Sequence, residues 1–330
     1  MASPQKSTNG RSPVAWPVRA GFTLLGAVSP ALAGRAGARL SLTPPRRRAA
    51  RRWGREVPAG ADPFTIRYRA RAIRGWALGT GPAVLLVHGW GGRSDQLGSI
   101  ARALAAAGCC AVAFDAPAHG RSGGRTTSMV EFADAAAEVA RRFRARAAVG
   151  HSLGGAAVAF AASRGLALDA AVLVAPPTTP VAFVDALAAA LRLSPATRAA
   201  LDERIVRRVG LRYDEVDVAR CAPASPPPAL VLHDDEDAEV PLAAGTALAR
   251  AWGARLVVTT GLGHRRILGD GPTVDRIVAF VTARLPRCEC GRLASTDGDG
   301  EVPRCDGCAI AEDLWAREAR RGRNAIGDAA

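Results

Sequence analysis

Six short, mostly apolar runs recur along the middle of the chain, at residues 83–87, 110–114, 147–149, 170–174, 229–232 and 255–259. Most are separated by stretches of helical character: 94–107, 128–144, 153–163 and 273–284. Such runs are too short for helices and suit strands covered on both faces. Strands alternating with helices in this way predict an α/β fold with a mostly parallel sheet. Residues 64–70 and 72–78 read as a hairpin ahead of the first buried strand. Ser128 and Glu131 form a capping box that opens the helix at 128–144. Between Pro176 and Pro228 the rhythm breaks: two helical patches, 181–193 and 195–209, occur with no strand, as expected of an inserted cap.

Hydrophobic residues make up 48% of the 330, enough for a sizeable core, and aromatics only 5%, so that core is built from Ala, Val and Leu. No run of 18 uninterrupted apolar residues predicts a membrane span.

The net charge of +14 sits mainly in one place. Residues 1–57 hold 11 Lys+Arg against the single acid Glu56, giving +10, and the other 273 residues hold 33 against 29, giving +4. The body is only mildly basic and carries no nucleic-acid recognition motif, so no nucleic-acid partner is expected. Residues 1–13 are polar and suit disorder. Residues 14–42 mix apolar residues with Arg19, Arg35 and Arg39. They read as a basic amphipathic segment that packs on the domain or weakly touches an anionic membrane surface. A signal peptide with Ala31-Leu32-Ala33 at its cleavage site is the rival reading.

The chemistry-bearing motif is Gly150-His151-Ser152-Leu153-Gly154, between a strand and an Ala-rich helix. Glycines two before and two after the serine let strand and helix approach closely, and the sharp turn lifts the hydroxyl above the sheet. Leu153 then stands at a helix N-terminus, where its amide can meet a developing oxyanion. Ser152 as nucleophile needs a base. Of the five histidines, His88, His119 and His151 precede Ser152, which the chain order Ser, Asp/Glu, His excludes. His233 ends a strand and reads as structural, leaving His264 in Gly261-Leu262-Gly263-His264, a Gly-rich loop after the last strand. The acid falls in 234–239, where Asp237, three before Val240-Pro241, is preferred over Asp234 and Asp235; the other carboxylates read as a solvated loop. Its role would be to hold the imidazole tautomer. A second oxyanion donor is expected from His88-Gly89-Trp90-Gly91-Gly92, with the Trp90 amide aimed inward and its ring lining the acyl pocket.

With His88-Gly89-Trp90-Gly91, Asp115-x-Pro117-x-His119-Gly120-x-Ser122, Gly150-x-Ser152-x-Gly154 and Asp237-x-x-Val240-Pro241 with His264 in order, the chain resembles the α/β-hydrolase superfamily, in its branch of small bacterial esterases and acyl hydrolases. The resemblance covers roughly residues 62–285. It implies an eight-stranded sheet flanked by helices, a helical cap after strand 6, and a Ser-His-Asp triad working without a cofactor. It also implies a structural role for the Asp115 loop. Serine rather than aspartate at 152 sets the chain apart from the dehalogenase and epoxide hydrolase branches.

Three regions follow: a basic extension at 1–61, the hydrolase domain at 62–285 with its cap at 176–228, and a tail at 286–330. The tail carries Cys288, Cys290, Cys305 and Cys308, two close thiol pairs that suit one structural Zn²⁺, with two disulfides or a redox pair at Cys305 and Cys308 as rivals. Cys109, Cys110 and Cys221 read as buried thiols or as strand and cap residues, and this cysteine usage suits a reducing, cytoplasmic compartment. The function expected is hydrolysis of a small ester or related acyl substrate. A non-catalytic binding protein of the same fold and a peripheral membrane adaptor are the alternatives.

Overall fold

The computed structural model describes residues 15–45, 57–287 and 293–294. Eight strands form one sheet in the order β1-β2-β4-β3-β5-β6-β7-β8. β1 (Asp62–Tyr68) and β2 (Arg71–Leu78) are the expected hairpin, and β2 also runs antiparallel to β4 (Cys110–Phe114). From β4 onward every pairing is parallel: β3 (Ala83–Val87), β5 (Ala147–His151), β6 (Ala170–Val174), β7 (Ala229–Asp234) and β8 (Arg255–Thr259). Every residue of β3, β5, β6 and β7 is buried, which is why these runs show no alternation.

Two of the strands outrun the apolar runs that announced them. β5 continues through Gly150 to His151, and β7 through His233 to Asp234. In each case polar residues extend the strand to its carboxyl end, the edge where chemistry gathers in open α/β sheets.

Two compact units make up the chain. The larger runs from Pro44 to Thr178 and resumes at Asp217. Around the sheet it packs helices α3 (Gly98–Ala106), α4 (Met129–Phe143), α5 (Leu153–Ser163), α8 (Leu242–Trp252), α9 (Gly263–Arg266) and α10 (Gly271–Thr282), numbered along the whole chain. Ser128 caps α4 by accepting from the Glu131 amide at 3.2 Å. The predicted helix at 94–107 is a 3-10 turn at Ser94–Leu97 followed by α3.

The smaller unit joins Met1–Thr43 to Thr179–Val216. Its described helices are α1 (Trp16–Val28), α2 (Pro30–Ser41), α6 (Val181–Leu191) and α7 (Pro195–Val209). Pro30 does not abolish helix here. It takes the first turn of α2, with Ser29 accepting from the Leu32 amide as N-cap, so one expected segment becomes two helices. Ala38, Val184, Leu201 and Ile205 form the unit's core. α2 lies close on α7: a Cβ at Gly34 would come within 2.7 Å of the Ala200 and Leu201 backbone.

Candidate active site

Ser152 stands between β5 and α5 with φ 53° and ψ −126°, a strained conformation for a residue with a side chain. The strain is imposed by packing. A Cβ on Gly154 would strike the Val87 and His88 carbonyls, and one on Gly150 would strike the Gly154 backbone. The Ser152 amide donates to the Val174 carbonyl at 2.8 Å, tying the turn to β6. Leu153 is the first residue of α5, so its N–H has no acceptor within the helix. Ser152 is half-buried, and its Oγ makes no hydrogen bond among the described residues.

Asp237 and His264 are brought together. His264 Nδ1 donates to Asp237 Oδ2 at 2.7 Å, which places the ring proton on Nδ1 and leaves Nε2 as an acceptor. Asp237 Oδ1 accepts from the Glu239 and Val240 amides at 2.8 and 2.9 Å, and the carboxylate is fully buried. Burial pushes this carboxyl up, but the His264 bond and the two amides outweigh it, so its pKa lies below the ordinary value. His264 sits in the one-turn helix α9 rather than in an open loop. Glu239, ion-paired with Arg265 at 2.9 Å, has a carboxylate oxygen 4.0 Å from His264 Nε2.

His151, the residue before Ser152, links this pair to the turn. Its Nε2 donates to the His264 carbonyl at 2.8 Å, and the two rings lie 4.7 Å apart. Burial, then the neighbouring His264, lower its pKa to about 3, so the ring is neutral.

The loop carrying Trp90 is braced from both sides. His88 Nε2 accepts from the Ala116 amide at 3.0 Å, and His119 Nε2 accepts from the Gly91 amide at 2.9 Å. Both rings are buried, and both histidines have lowered pKa values, first because of burial; His119 falls to about 3. The Trp90 ring packs against His119 and stacks with Phe132. Asp115 underpins the same region, accepting from the Ser94 and Arg121 amides at 2.8 Å each.

Asp234 departs from expectation. It is not part of a solvated acidic loop: it is 1% exposed and accepts four hydrogen bonds, two of them from Leu262 and Gly263 next to His264. Asp235, Glu236 and Glu239 are exposed, as expected. By sequence, Asp234 is weighed only as a rival for the acid and His151 is set aside as the base by chain order; neither is given a supporting role. Their position at the carboxyl ends of β7 and β5 is the signal that could have found them. His233 is fully buried, with Nε2 donating to the Val240 carbonyl at 2.9 Å and Nδ1 without a partner. Cys109 is buried and Cys110 partly buried, and burial raises both thiol pKa values, Cys109 to about 11. Cys288, Cys290, Cys305 and Cys308 lie outside the described residues.

Solved structures of similar fold include an α/β hydrolase fold protein from Burkholderia ambifaria, 23% identical, covering 67% of this chain and 97% of its own, with TM-score 0.51. The esterase RhEst1 from Rhodococcus sp. ECU1013 is 20% identical over 68% of this chain and 99% of its own, with TM-score 0.51. The Pyrococcus furiosus esterase Pf2001 is 17% identical over 73% and 99%, with TM-score 0.54. No curated protein matches the chain. The model of the alpha/beta hydrolase family matches residues 84–276, which run from β3 to the middle of α10 and include Ser152, Asp237 and His264. By this match and by its sheet order, the chain belongs to the alpha/beta hydrolase family.

Proposed function

We propose that this hydrolase cleaves carboxylic esters or related acyl compounds by nucleophilic attack of Ser152. The observation that supports it best is the 2.7 Å His264–Asp237 bond, tied to the nucleophile turn by His151, the residue before the strained serine. His264 Nε2 takes the Ser152 proton as Oγ attacks the acyl carbon, and Asp237 stabilises the imidazolium that forms. The amides of Leu153 and Trp90 receive the oxyanion. His264 then passes its proton to the leaving alcohol, and a water, activated by the same ring, releases the acid from the acyl-enzyme. A nucleophile–base bond is often long before substrate binds, which accords with the unbonded Ser152 Oγ. Two of the structures of like fold are esterases by name, so short p-nitrophenyl esters are the natural first substrates. Ser152→Ala should lower their hydrolysis by on the order of 10³-fold or more. Turnover equal to the parent enzyme would refute the reading.

The scheme uses no cofactor. Zinc at Cys288, Cys290, Cys305 and Cys308 would be structural, since four thiolates leave no open coordination position. Reduced, metal-binding cysteines at that tail would suit a cytoplasmic setting, and no helix among the described residues is long and apolar enough to cross a membrane.

Weak contact with an anionic lipid surface is a second proposal, favoured by α1. Trp16, Leu24 and Val28 are 71%, 70% and 85% exposed and fall on one uncharged side of that helix. The +10 charge of residues 1–57 complements such a surface.

A further inference from the structure

Asp234 occupies the last position of β7, three residues before Asp237. Its Oδ1 accepts from the Glu236 amide at 3.1 Å and the Gly263 amide at 2.8 Å. Its Oδ2 accepts from the Leu262 amide at 3.0 Å and Thr259 Oγ1 at 2.8 Å. Four donors therefore converge on one carboxylate that is 1% exposed. Among the described residues no cation pairs with it, so this buried charge is held by hydrogen bonds alone.

Thr259 ends β8, and the three backbone donors come from two further segments. Glu236 belongs to the β7–α8 loop that carries Asp237, while Leu262 and Gly263 immediately precede His264. A single carboxylate thus bolts the loop bearing the acid to the start of the short helix bearing the base. We propose that Asp234 is a positioning residue that sets the register of His264 against Asp237, a role resting on the triad reading above. It does not touch substrate: it acts through the two backbone segments it joins. Burial pushes its carboxyl up, but the Gly263, Thr259, Leu262 and Glu236 bonds outweigh that and hold it below the ordinary range. It is therefore ionised at neutral pH.

Asparagine is the sharpest probe, because it keeps the shape. One oxygen becomes an NH₂ that faces two donors, so at least two of the four bonds are lost whichever way the amide turns. Misplacing a catalytic group by about 1 Å costs on the order of 10²-fold in rate. Asp234→Asn should accordingly lower kcat about 10²-fold while KM stays within about threefold. The downfield proton resonance of His264 Nδ1–H, shared with Asp237, should broaden or vanish. Should that variant fold poorly, amide hydrogen exchange in the parent protein carries the test. Leu262 and Gly263 should exchange far more slowly than exposed Gly261 beside them, although the three are consecutive where the chain enters α9. Parent-like kcat in Asp234→Asn, an unchanged His264 resonance, or fast exchange at Leu262 and Gly263 would each overturn the clamp. Ser152→Ala run alongside separates the two ideas. If it is inactive and Asp234→Asn is normal, the clamp fails and the triad stands; if Ser152→Ala keeps parent turnover, the triad reading itself fails.

Discussion

At the scale of single residues, the chemistry turns on where His264 carries its proton. Asp237 accepts from Nδ1, so Nε2 is bare and able to take a proton from a hydroxyl. An amide in place of that carboxylate can donate to Nδ1 and favour the opposite tautomer. Asp237→Asn should therefore lower kcat by on the order of 10⁴-fold with little change in fold. Circular dichroism and ester kinetics on the purified variant check both parts, and a loss under tenfold would move the acid elsewhere. Ser152, His264 and Asp237 were legible from chain order and motif context. Asp234 was not, because five carboxylates in six residues read as a solvated loop by composition. Only the extension of β7 two residues past its apolar run shows that the first of them is buried. His151 was set aside because it precedes Ser152, an order that bears on the base and says nothing of a supporting role.

At the scale of elements, the buried strands were legible because burial on both faces leaves an uninterrupted apolar signature. β3, β4 and β6 begin and end where the sequence places them, and so does β8, although as the edge strand it has no fully buried residue. The amino-terminal helices were harder to read. Gly26 and Pro30 argue against one long helix, and they are compatible with two, since Pro30 opens the second. Within the smaller unit, α2 packs on α7 so closely that Gly34 has no room for a side chain. Removing residues 1–43 should therefore expose Leu201 and Ile205 and leave the protein aggregated, as light scattering would show. A soluble, active truncation would mean the helices are dispensable. Lipid contact needs gentler probes. Leu24→Gln with Val28→Gln should reduce sedimentation with anionic vesicles and leave ester hydrolysis intact. Binding that survives these changes, or that does not weaken with added salt, contradicts an apolar and electrostatic contact through α1.

At the scale of the whole molecule, buried titratable groups make stability depend on pH with a definite sign. His88, His119 and His151 are held neutral, the last two down to about 3. In the unfolded chain each binds a proton below about pH 6.5. The unfolded state thus holds more protons in that window, and stability falls as pH drops from about 6.5 toward 3. Asp234 and Asp237 act in the same direction at lower pH. Their folded carboxyls lie below the ordinary value, so their contribution is complete above the ordinary carboxylate range and is lost as pH falls through the folded values. Urea midpoints should decline steadily from pH 7 to 4, with roughly three protons taken up on unfolding near pH 5. A level midpoint across that range would mean the histidines are not buried as described.

All of this rests on Ser152 being a nucleophile activated by His264. The most direct measurement is intact-mass analysis after brief exposure to a fluorophosphonate, for the parent enzyme, Ser152→Ala and His264→Ala. The account predicts one adduct per parent chain, mapped to Ser152 by peptide sequencing, no adduct in Ser152→Ala, and labelling in His264→Ala slowed by orders of magnitude. An adduct on another residue, or equal labelling of the parent and Ser152→Ala, would contradict it.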